Sequence, residues 1–106
     1  MRQILPITLA GLMALLPVAA LAESKAEKTE RCSIQAGIVE SAISHRQANR
    51  NENRATRKIM NAEPIKGTKY EANVDVLVAW IYSLPQAQLT PETTATFEKA
   101  CLDYKS

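Results

Sequence analysis

The sequence predicts an all-α protein, a small bundle of about four helices closed by one disulfide. Three observations carry that prediction. Apolar residues recur at intervals of three and four in separate stretches between Ile34 and Tyr104, which is the period of a helix with one buried face. The breaks between these stretches are short and hold Asn, Pro and Gly, residues that stop helices and start turns. Two cysteines, Cys32 and Cys101, stand near the two ends of the helical region.

The chain of 106 residues opens MRQILPITLAGLMALLPVAALAESKAEK. Arg2 is the only charge before Glu23, and Ala20 and Ala22 occupy the small-residue positions just before it. A positive start, an apolar middle and an A-x-A ending are the parts of a secretory signal peptide. Residues 1–22 are therefore expected to be cleaved after Ala22, and the product to be exported to the periplasm if the source is Gram-negative. The rival reading is a permanent membrane helix, which needs roughly 20 apolar residues. Pro6, Pro17 and the lack of a basic stop-transfer flank speak against it, so no stable membrane insertion is expected after cleavage. No cysteine follows the cut to take a lipid anchor, and no twin-arginine pair or c-type haem motif is present.

Removing 22 of 106 residues leaves 84, with 12 Lys and Arg (13 less Arg2) against 11 Asp and Glu, a net charge of +1. That balance points to no class of partner. It suits one small core and a single domain over residues 32–106, preceded by a flexible charged leader over residues 23–31, ESKAEKTER, with an extra helical turn before Cys32 as the alternative. Domains of this size often need a covalent staple. In an oxidising compartment an even cysteine pair reads as a disulfide. A bridge closing a loop of about 70 residues stabilises by about 4 kcal/mol in the chain-entropy model. Redox chemistry would want C-x-x-C spacing, and zinc about four ligands; free or intermolecular thiols are the other alternative.

The first helix is expected from about Ser33 to Ala48, with Ile34, Ile38, Val39, Ala42 and Ile43 inward and Asn49 as a left-handed stop. Asn51 caps a second, shorter helix whose inward residues are Ala55, Ile59 and Met60, with Ala62 as a further candidate. EPIKGTK, residues 63–69, is a break. YEANVDVLVAWIYSLP, residues 70–85, is the main core candidate. Tyr70, Val74, Leu77, Val78, Ile81 and Leu84 form its stripe, and Val76, Ala79, Trp80 and Tyr82 are expected to widen it. Pro85 ends it. The last helix opens with Thr90 as N-cap, Pro91 at the first helical position and Glu92 at the positive end of the dipole. Thr94, Phe97, Cys101 and Tyr104 share its inner face.

The candidate binding surface is basic. Arg46, Arg50, Arg54 and Lys58 are spaced by four, with Arg57 beside them. They would dock an anionic partner, either another protein or an anionic envelope component; the alternative is a solvated face, with Arg46 balancing the end of the first helix. Nucleic acid is not expected, because no aromatic residue interleaves with the arginines to stack on bases. His45 falls on the side of Ile34 and Ile38. It reads as a core-edge residue or a pH sensor, and not as a metal site, since no further ligands accompany it. Trp80 and Tyr82 could face the core or anchor a partner. Glu92 with Glu98, and Asp75 with Glu71, are carboxylate pairs without a surrounding motif, so no enzyme, metal or cofactor is expected.

A cysteine opening the first helix, HRQANRNE as the turn after it, and LVAWIYSLP followed by F-x-x-x-C together resemble small exported bacterial two-cysteine proteins of unassigned function. That resemblance implies a disulfide-closed helical fold and carries no catalytic residues. In size and class the chain is also similar to the HdeA-type acid-stress chaperones, though its cysteines enclose more chain than theirs. Small periplasmic immunity proteins share the same description. The function expected is therefore binding without catalysis, first of all to another protein. The alternatives are an acid-stress chaperone, unfolding as eleven carboxylates lose charge, and an immunity-type inhibitor of a secreted toxin.

Overall fold

Local sequence signals set the helix boundaries in the computed structural model, which describes residues 23–105. The expected signal peptide, residues 1–22, lies outside the described residues. Among those described there are four α-helices and no strand: α1 (Lys25–Gln47), α2 (Glu52–Met60), α3 (Glu71–Ser83) and α4 (Pro91–Asp103), with a 3-10 turn at Gln86–Gln88. The fold is the all-α bundle the periodicity predicts.

Helix α1 begins well before Ser33. Ser24 accepts from the Glu27 N–H at 3.0 Å, and Glu27 Oε1 accepts from the Ser24 N–H at 2.8 Å. This reciprocal capping box satisfies two of the unpaired amides at a helix start. The flexible charged leader expected over residues 23–31 is thus corrected: from Lys25 it is helix. Its charges found partners that the local sequence does not reveal. Arg31 pairs with Glu23 at 2.9 Å and its Nη1 lies 3.4 Å from Cys101 Sγ, while Lys28 Nζ donates to the Tyr104 carbonyl.

At its other end α1 stops as expected. Asn49 has φ 64°, the left-handed conformation that Asn tolerates. The Arg50 N–H bonds the His45 carbonyl at 3.0 Å and the Asn49 N–H bonds the Arg46 carbonyl at 2.9 Å, the paired bonds of a Schellman ending. Asn51 then caps α2, its Oδ1 accepting from the Arg54 N–H at 2.8 Å. Ala62 lies past the end of α2 and is exposed, not inward.

α1 and α3 run parallel, with α2 and α4 antiparallel to them. Gln35 Nε2 meets Asn73 Oδ1 at 3.2 Å near one end, and Arg46 reaches the Ile81 carbonyl at 2.7 Å near the other. The core lies among α1, α2 and α3: Ile38, Val39, Ala42 and Ile43 meet Ala55, Ile59, Val74, Val78 and Ile81. Ile65 and Tyr70 plug it from the connection, and Leu89 closes it before α4. Val76, Ala79 and Trp80 do not widen the core stripe. Val76 is 63% and Trp80 37% exposed, because among the described residues no helix packs over Val76 and Trp80 is only partly covered, by Phe97 of α4.

α4 contributes no fully buried residue. Thr90 stands at its N-cap in extended conformation, but its side chain makes no capping bond. Tyr104 leaves the inner face, since the helix ends before it and the ring is 66% exposed. α4 is tied down by the expected disulfide: Cys32 and Cys101 are bonded, with Cα atoms 5.7 Å apart, inside the ordinary disulfide range.

Candidate anion-binding corner

The sharp stop at Asn49 and immediate restart at Asn51 bring the end of α1 against the start of α2. Five cations and His45 are carried into this corner by sequence. The fold divides them.

Arg46 turns away. Its Nη1 donates to the Ile81 carbonyl at 2.7 Å and to the Leu84 carbonyl, and its guanidinium lies 5.9 Å from the Tyr82 ring centroid. The last carbonyls of a helix lack intrahelical donors, so Arg46 acts as a cap on the C-terminus of α3. It is removed from the basic surface that its four-residue spacing suggested. Tyr82 is half-buried beside it, and its hydroxyl donates to the Arg50 carbonyl at 2.6 Å.

Arg50 is half-buried, with Nη1 3.2 Å from His45 Nδ1. A guanidinium can only donate, so this contact is a hydrogen bond in the neutral tautomer of His45 that carries its proton on Nε2. Burial, and then the charges of Arg50, Lys58 and Arg54, hold the His45 pKa below the ordinary histidine value.

Arg54, Arg57 and Lys58 are exposed on α2. With His45, Asn61 and Ala62 they line an open pocket of about 680 Å³. Among the described residues the ion pairs are Glu23–Arg31 and Lys99–Asp103, and neither engages these three cations. No carboxylate lines the pocket. The arrangement offers fixed positive charge to an anion. No group of three or more metal-ligating side chains occurs among the described residues.

The carboxylates singled out by sequence lie elsewhere. Glu71 accepts from the Gly67 N–H, Asp75 and Glu92 are exposed, and Glu98 is half-buried on α4. Trp80 is a surface residue, its ring centroid 5.9 Å from that of Phe97. No helix among the described residues is long and apolar enough to cross a membrane.

One feature of the corner is not visible in the sequence: beside the cationic pocket, sharing His45, Lys58 and Ala62 with it, lies a groove between α1 and the 59–65 segment. The signal that could have shown it is Gly37, a glycine in mid-helix on the face that carries Ser33 and Ser41. No protein-family model, no curated protein and no solved structure matches the chain.

Proposed function

We infer that the protein is an exported, non-enzymatic binding protein whose cationic corner receives the acidic surface of another protein, in the periplasm. The observation that supports this reading most is the set Arg54, Arg57 and Lys58, exposed on one pocket and engaged by no acidic side chain among the described residues. Exposed cations that form no ion pair, on a chain of nearly balanced charge, concentrate positive potential at one place, which steers an anionic partner.

A crosslinked pull-down of the protein from the periplasm tests this. The double charge reversal Arg54→Glu with Lys58→Glu should abolish partner recovery and leave the melting temperature unchanged, since both side chains are exposed. Recovery from the parent chain should also fall as salt rises, because charges at the surface are screened over about 8–10 Å at physiological ionic strength. Recovery unchanged by the reversal contradicts the reading.

A further inference from the structure

We propose that the cationic pocket and the apolar groove beside it form one site for a single-chain anionic amphiphile, an alkyl chain ending in a carboxylate or phosphate. The two hollows share His45, Lys58 and Ala62 in their walls and therefore lie side by side. The groove has a volume of about 350 Å³, at the small end of the range of ligand sites. Its apolar lining is aliphatic throughout: Ile34, Ile38, Ile59, Ala62, Pro64 and Ile65. At one end of this lining stand Lys58, Arg54 and Arg57. Ser33, Glu40, Ser41 and Glu63 line the groove as well, so an alkyl chain would lie against the aliphatic residues with its negative end at the cations.

An alkyl chain suits the groove better than a peptide segment. A peptide laid there brings amide groups that each need a hydrogen-bond partner, and much of the lining has none to give. The chain brings no such demand. Glu40 and Glu63 stand on the groove but not on the cationic pocket, which sets the direction: head group at Lys58, tail away from it. The C-terminus of α2 also lies near, with roughly half a negative charge from its dipole. Three full cations on that helix outweigh it.

Gly37 gives a clean way to close the groove. It lines the wall, and a Cβ built on it meets nothing within 4 Å. Gly37→Leu should therefore fill the groove without disturbing the core, while the added side chain favours the helix over glycine.

This site shares Arg54, Arg57 and Lys58 with the protein-partner reading, but its ligand is a small molecule and its test needs no partner. The purified disulfide-bonded protein, isotope-labelled, is titrated with dodecanoate below its micelle concentration and followed by amide NMR. Saturable shifts confined to Ile34–Ser41, Arg54–Lys58 and Ile59–Ile65 are expected. Dodecylammonium, with the same tail and the opposite head, should bind at least tenfold more weakly. Arg54→Glu with Lys58→Glu should weaken dodecanoate at least tenfold, and Gly37→Leu should abolish its binding without lowering the melting temperature. The proposal is overturned by the absence of saturable shifts, by equal binding of dodecylammonium, or by unchanged binding in both variants. It is also overturned if an oligo-glutamate peptide saturates the same amides and dodecanoate does not; that outcome leaves the protein-partner reading standing.

Discussion

Arg46 and Arg50 are four residues apart, and the fold gives them different tasks. Arg46 holds the end of α3, so Arg46→Ala should cost about 1–3 kcal/mol, the range for hydrogen bonds to a charged donor. Urea unfolding measures it. Partner recovery per folded molecule should be unchanged, because the guanidinium does not line the cationic pocket. Arg50 instead meets His45, and this pair sets a pH dependence. His45 has a lowered pKa in the folded chain, from burial first and the surrounding cations second. The folded chain thus takes up a proton there less readily than the unfolded chain. The stability associated with His45 is full above the unfolded value of about 6.5. It is lost as pH falls from there toward the folded pKa, below which the loss is constant. His45→Gln should flatten this part of the profile, seen as a smaller drop in urea midpoint between about pH 7.5 and pH 5 than in the parent chain.

The elements differ in how they are held. α4 lies along α1 but has no fully buried residue, and Thr94 Oγ1 on it is buried without a hydrogen-bond partner. Its attachments are the disulfide, Phe97 against the core and Trp80, and the contacts of Lys28 and Arg31 near its C-terminal end. Replacing Cys32 and Cys101 together by Ser should destabilise by about 4 kcal/mol on the chain-entropy account. It should also expose the α4 amides to hydrogen exchange before those of α1 and α3. Equal exchange across all four helices would show that packing, not the bridge, seats α4.

The helices were legible where a local signal ends them. Asn49 and Asn51 mark the α1–α2 corner in sequence, and the structure follows both. The start of α1 was not legible from apolar periodicity, because its first two turns bury little and are fixed by a capping box and by contacts with α4 far along the chain. The outward face of α3 was not legible for a related reason. Val76 looks like core by composition and Trp80 fits either side; only the tertiary fact that no helix among the described residues covers Val76, and that Trp80 meets Phe97 alone of the aromatic rings, leaves them exposed. The cationic corner was legible as a cluster. The departure of Arg46 and the groove beside Lys58 were not, since both depend on which helix ends lie opposite.

At the scale of the whole molecule, a core shared by three helices is joined to a fourth by one covalent bond, and the corner that carries unpaired charge lies where α1 gives way to α2. A chain this small gains from a bridge between distant residues, and such a bridge persists where thiols are oxidised. Export and the disulfide are therefore one claim, on which the placement of α4 and the compartment of any partner both depend. Intact mass of the protein recovered from the cell envelope, after alkylation without reductant, tests it most directly. The account predicts a chain beginning at Glu23 that takes up no alkyl group. A chain retaining its first 22 residues, or one alkylated at both Cys32 and Cys101, would contradict it.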